Sequence, residues 1–140
     1  MVTLGNDELK CITFFESVTG AGVKDCVIDK EFIIFVVNEG DVGRAIGKGG
    51  SSISRVRQQL GKSVYVVEHA ETAEEFVKNI FMPVPINNLN IQEKNNSKTA
   101  VVDVDPQNRG SAIGRNGERI RMGRLLMQRR FGMDLRVSGR

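Results

Sequence analysis

A chain of 140 residues with 40% apolar content holds either one ordinary domain or two small ones. Its formal net charge of +3 is too small to define a partner on its own. The longest apolar run, Phe32–Val37, falls far short of the roughly 20 residues a membrane span needs, so no membrane contact is expected. Asp7 and Glu8 stand where a secretion signal would turn basic and then apolar, and the chain reads as cytoplasmic. Cys11 and Cys26 are too few for a zinc site and are expected to be reduced and partly buried.

Taken in chain order, Cys11, Phe14, Phe15 and Val18 recur at helical spacing after Asn6-Asp7, and Gly20 and Gly22 end that segment. Val23–Ile28 and Phe32–Val37 follow as two β-rich runs around Asp29-Lys30-Glu31, a strand pair with a tight turn. A short helix from Val42 leads into a glycine turn at 47–50. Ile53, Val56 and Leu60 then mark one face of a further helix that stops at Gly61, and residues 64–67 form a third strand.

The same order starts again in the second half. Thr72 with Glu75 predicts a capping box for a helix carrying Ala73, Phe76, Val77 and Ile80 on one face, ended by Pro83. Residues 89–91 and 99–104 are the strand pair, joined by a polar loop over 93–97. A second glycine turn precedes Ile120, Gly123 and Met127, each 67 residues after Ile53, Val56 and Leu60. That helix runs on to Phe131 and Gly132, after which Leu135 and Val137 alternate as the last strand. The predicted organisation is therefore two domain-sized copies, residues 1–70 and 71–140. Cores this small predict that the halves pack on each other or on a partner.

Both turns carry one pattern: Ile46-Gly47-Lys48-Gly49-Gly50-Ser51-Ser52-Ile53 and Ile113-Gly114-Arg115-Asn116-Gly117-Glu118-Arg119-Ile120. A Gly-x-x-Gly between helices leaves backbone N–H groups at the start of the second helix, where the helix dipole adds partial positive charge. Glycine lets a sugar-phosphate backbone come close, and Lys48 or Arg115 adds a charge-assisted contact. Charge is distributed to match. Residues 1–97 carry 10 basic and 13 acidic side chains and residues 98–140 carry 10 and 4, while the stretch from Arg44 to Lys62 has no acid. Nucleic acid is the ligand this predicts. The contact candidates are Arg44, Ile46, Gly47, Lys48, Gly49, Gly50, Ile53, Arg55 and Arg57 around the first turn. Around the second they are Ile113, Gly114, Arg115, Asn116, Gly117, Arg119, Arg121 and Arg124. The isoleucines are expected to join the helices and to floor a groove for bases. With no Trp and one Tyr, stacking on aromatic platforms is not the expected mode.

Enzymatic readings fare worse. Gly43-Arg44-Ala45-Ile46-Gly47-Lys48-Gly49 is one residue short of a nucleotide-binding loop, lacks the Ser or Thr after lysine, and does not follow a strand. His69, the only histidine, reads as an ordinary surface or boundary residue at the junction of the halves. The pair Asp103 and Asp105 alternates with Val102 and Val104 as a strand's exposed side would. No catalytic residue, metal ligand or cofactor site is assigned.

At these residues the chain resembles the KH-domain family, whose signature is an apolar residue followed by Ile-Gly-x-x-Gly-x-x-Ile. The element order is similar to the type II arrangement. The resemblance implies an α+β fold of two tandem KH type II domains, each a three-stranded mixed sheet covered by three helices in the order αββααβ. It also implies about four single-stranded nucleotides held along each turn and groove. The doubled arrangement, with Thr19-Gly20-Ala21-Gly22 leading to Asp25-Cys26, is similar to the archaeal NusA-like family of transcription termination and antitermination factors. That implies a non-enzymatic, monomeric binder of single-stranded RNA acting in transcription elongation, termination or antitermination. RNA polymerase or other transcription factors are its candidate protein partners. The alternative is a KH-type protein of ribosome assembly or translation, and the residues alone do not separate RNA from single-stranded DNA. The chain departs from bacterial relatives in showing nothing that corresponds to their polymerase-binding or barrel modules. Glu118, directly after Gly117, is expected to weaken the second turn, so the first turn should dominate.

Overall fold

The structure, a computed structural model, describes residues 5–138. The chain divides into two compact units, Met1–His69 and Ala70–Arg140. Unit one runs α1 (Asn6–Thr19), β1 (Val23–Ile28), β2 (Phe32–Val37), α2 (Val42–Ile46), a single 3₁₀ turn, α3 (Ser51–Leu60) and β3 (Ser63–Glu68). Unit two repeats it as α4 (Ala73–Phe81), β4 (Asn88–Lys94), β5 (Ser97–Asp103), α5 (Arg109–Ile113), a 3₁₀ turn, α6 (Glu118–Phe131) and β6 (Met133–Val137). One addition, a 3₁₀ turn at Pro106–Asn108, precedes α5. Each sheet is mixed: β1 pairs antiparallel and β3 parallel with β2, and β4 and β6 do the same with β5. This is the expected α+β, αββααβ order in both units.

The central strand of unit one is buried on both faces, every residue from Phe32 to Val37 lying below 4% exposure. Its alternation sends Ile33, Phe35 and Val37 into a core with Phe15 of α1, Ala45 of α2 and Ile53 and Val56 of α3. Phe15 stacks on Phe35 with ring centroids 4.0 Å apart and ties α1 to the sheet. Burying side chains of this size contributes roughly 1.5–3 kcal/mol each, so β2 is the anchor of the unit. In unit two Ala100, Val102 and Val104 take the equivalent inward positions, 67 residues on.

Details differ from the sequence expectations for physical reasons. The second hairpin is tighter and longer than the loop over 93–97 suggests, because Asn95 and Asn96 both adopt left-handed backbone (φ 53° and 65°) and close a two-residue turn. At α4 the cap is a single bond: Thr72 Oγ1 accepts from the Glu75 N–H at 3.2 Å, while the Glu75 carboxylate pairs with Lys78 at 3.7 Å. His69, expected at the surface or at the boundary of the halves, is the last residue of unit one and is buried. It is 8% exposed, and its backbone N–H donates to the Val37 carbonyl at 2.8 Å, extending the β3 edge. Cys26 is buried and Cys11 half-buried, where burial, with Asp7 and Glu8, pushes the Cys11 thiol pKa up and keeps it protonated.

Close packing in unit two depends on Gly123. A Cβ there would lie 2.6 Å from Leu135 Cδ2 and 3.0 Å from Ile80 Cγ2. The missing side chain lets α6 settle between β6 and α4, and the contact continues where Phe76 meets Phe131 at 5.8 Å.

Candidate nucleic-acid interface

The two turns have one backbone. Gly47 and Gly114 adopt φ 78° and 86°, both with ψ 169°, a region open to glycine. Space forbids a side chain as well: a Cβ on Gly47 would lie 2.8 Å from the Ser52 amide nitrogen, and one on Gly114 2.7 Å from that of Arg119. Gly49 (62°, 21°) and Gly50 (77°, 15°) then pass through left-handed backbone, as do Asn116 (55°, 26°) and Gly117 (72°, 14°). The Gly50 N–H donates to the Gly47 carbonyl at 3.1 Å, and that of Gly117 to the Gly114 carbonyl at 3.0 Å. Gly50 and Gly117 are the N-caps of α3 and α6 and have no side chain to cap them. Each turn thus leads into a helix that has no side-chain cap, beside an exposed cation, Lys48 or Arg115, while the Ser51 and Glu118 N–H groups donate to the Lys48 and Arg115 carbonyls.

Around the first turn the structure puts Arg44, Lys48, Arg55 and Arg57 on the surface. Arg44, 70% exposed, is only 4.0 Å from Asp41, and Arg57 Nη2 donates to the Val64 carbonyl at 3.4 Å. The isoleucines separate: Ile53 is a core residue, whereas Ile46 remains 37% exposed. In the second unit the two isoleucines stay together at the surface of one groove. Ile113 and Ile120, both half-buried, line a groove of about 310 Å³ with Leu135 and Val137, and Arg109, Arg124, Asp134 and Arg136 surround it.

The arginines of α6 take different positions. Arg119 Nη1 donates to the carbonyls of Ile80 (3.1 Å) and Met82 (3.0 Å), satisfying the C-terminal end of α4. Arg121 is half-buried. Arg124 meets Asp134 in a two-pronged pair, Nε to Oδ1 at 2.9 Å and Nη2 to Oδ2 at 3.3 Å. That bond, assisted by the Leu135 N–H, holds the Asp134 carboxyl below its ordinary value and raises Arg124. Sequence reasoning missed Asp134, Arg109 and Arg136 as groove residues. Strand alternation sets 134 and 136 opposite Leu135 and Val137, so the sequence carried no signal that all four line one groove. Among the described residues no three His, Cys, Asp or Glu side chains gather to hold a metal, and no helix is long and apolar enough to cross a membrane.

An αββααβ unit with Gly-x-x-Gly between its second and third helices is the type II KH architecture, and it occurs here twice. The KH domain family matches residues 12–95, and the NusA-like second KH domain matches residues 73–135. A relative from Halococcus morrhuae, named as a probable transcription termination protein NusA, is 42% identical over 95% of either chain. One of the same name from Methanococcus vannielii is 37% identical over 85% of this chain and 69% of its own. The crystal structure of APE1850 superposes with a TM-score of 0.83 at 38% identity, covering 96% of this chain and 99% of that one. The chain belongs to the KH-domain family and, within it, to the archaeal NusA-like proteins with two tandem KH domains.

Proposed function

We propose that this protein binds single-stranded RNA in transcription, both turns receiving the sugar-phosphate backbone and the grooves beside them receiving bases. One observation carries the reading: two turns 67 residues apart share the same unusual dihedral angles, each beside an exposed cation and ahead of an uncapped helix start. The probable termination role in the relatives' names supports placing the activity in elongation, termination or antitermination, with RNA polymerase or another transcription factor as the protein partner. Binding, with no catalytic step, is the whole activity in this reading. Lys48, Gly49 and Gly50 in one turn and Arg115, Asn116 and Gly117 in the other are the phosphate contacts. Arg44, Arg55 and Arg57 add to the first track, Arg121 and Arg124 lie along the second, and Arg119 positions the α6 start.

The test is a double variant, Lys48→Asp with Arg115→Asp, assayed for RNA binding across salt concentrations. Affinity should fall by at least about tenfold and the salt slope should flatten, because each lost phosphate contact removes roughly one released counterion. An unchanged slope and affinity in a folded double variant overturns the reading. Sequencing RNA crosslinked in cells separates this role from ribosome assembly, which would return mainly mature ribosomal RNA instead of nascent transcripts.

A further inference from the structure

The wall of the second groove holds a charge pair that a phosphate track does not need. Phosphate binding calls for uncompensated cations, which Arg109 and Arg136 of the same lining supply, yet the Arg124 fork is neutralised by Asp134, and this pair lines the groove together with the apolar Ile113, Ile120, Leu135 and Val137. A neutral, planar pair beside an apolar floor suits a neutral, planar ligand, and in a nucleic-acid groove that ligand is a base.

The hydrogen-bond inventory narrows which one. Asp134 Oδ1 accepts from Arg124 Nε at 2.9 Å and from the Leu135 N–H at 2.8 Å, while Oδ2 accepts from Arg124 Nη2 at 3.3 Å. A carboxylate has about four lone-pair sites, so Oδ2 retains capacity for a further donor. Arg124 has five N–H groups, two of them used by Asp134, and the others lie in the same fixed plane. The wall therefore offers an acceptor next to donors. Cytosine presents the complement along its pairing edge: an amino donor, then the N3 and O2 acceptors. Uracil puts a carbonyl against the carboxylate, guanine does the same with O6, and adenine lacks the second acceptor.

We propose that Arg124 and Asp134 together read a cytosine in the second groove, Asp134 accepting from the exocyclic amino group and Arg124 donating to N3 and O2. This rests on RNA entering the groove beside the turn, as proposed above. The device belongs to the second copy alone. Sheet register makes Ser63 the counterpart of Asp134, since Phe32 pairs with Ser63 as Thr99 pairs with Asp134, and Arg57, the counterpart of Arg124, reaches a backbone carbonyl instead.

The experiment uses the full chain carrying Lys48→Asp, so that binding reports the second groove. Two RNA hexamers are compared, one all uridine and one with two central cytosines. The cytosine RNA should bind about tenfold tighter, the discrimination expected of one good two-pronged base contact. Adding Asp134→Ala should bring the two affinities together. Arg124→Lys, which keeps the charge and loses the planar fork, should do the same. A preference that survives both substitutions overturns the assignment, as does equal affinity for the two RNAs before either is made. Equal but salt-dependent affinities leave the RNA-binding reading standing and overturn the cytosine assignment, whereas no binding of either RNA by the unsubstituted chain sinks both.

Discussion

The turns at Gly47 and Gly114 have the same backbone and different company. In the first, Ser51 and Ser52 follow the turn, and Arg57 reaches the Val64 carbonyl. In the second, Glu118 and Arg119 occupy those positions, Arg119 is committed to the end of α4, and Arg124 is held by Asp134. Geometry common to both must come from what both contain, the two outer glycines and the hydrogen bonds between them. What differs sits on side chains that the turn itself does not constrain. The turn is thus a fixed backbone frame, proposed above as the phosphate seat, and the residues around it are free to diverge.

The comparison breaks most severely at the glycines. Gly47→Val or Gly114→Val places a branched side chain on left-handed backbone and drives Cβ to 2.8 or 2.7 Å from a main-chain nitrogen that begins a helix. Each should cost about 3 kcal/mol or more in urea unfolding, the sum of backbone strain and overpacking. Gly49→Ala is the control, with φ at 62° and nothing within 4 Å of the added carbon. It should cost about 1–2 kcal/mol. Equal losses at Gly47 and Gly49 would mean that crowding against Ser52 does not matter.

Packing gives the next largest effect. Val56 is a core residue of α3, whereas its counterpart Gly123 makes room for Leu135 and Ile80. Gly123→Val, which restores the first copy's residue, should destabilise the protein by about 1–3 kcal/mol in spite of the usual cost of glycine within a helix. A neutral or stabilising result would show that Leu135 and Ile80 relax away.

Most of the fold was legible because it is local. Helical spacing in α1, α3 and α6, β-rich runs at β1 and β2, and glycine stops at Gly61 and Gly132 all act within a few residues. The turn motif and its cations were legible for the same reason. Long-range partnerships were not. Arg119 reads as one of several cations on α6 until α4 folds against it and offers the Ile80 and Met82 carbonyls. Arg124 and Asp134 are ten residues apart, beyond helical spacing, and meet only because α6 ends and β6 turns back beside it. The burial of His69 depends likewise on β3 continuing along β2 to Val37. The Asn95-Asn96 turn was visible in principle, yet a run of polar residues looks the same whether two or five of them form the loop.

Binding should reveal the asymmetry more gently. Lys48→Asp alone is expected to weaken RNA affinity about tenfold, the loss of one charge-assisted contact. Arg115→Asp should weaken it less, because Glu118 already offsets positive charge at that turn. Equal effects in parallel titrations at low salt would show that the carboxylate does not influence the second seat.

Smallest of all should be the stability change on breaking the Arg124–Asp134 pair. Its partners are 58% and 48% exposed, so solvent screens the attraction and Asp134→Asn should cost no more than about 0.5–1 kcal/mol. The pH dependence has a definite sign. Asp134 titrates below its ordinary value of 3.8 in the folded protein, so the pair's contribution is fully present above that pH and disappears as acid carries the solution through the lower, folded value. Wild type and Asp134→Asn should therefore differ slightly in urea midpoint at neutral pH and converge in strong acid. A gap that widens on acidification would mean that the carboxyl is not held by Arg124 in the folded chain, and would remove the preorganised fork on which the proposed cytosine contact depends.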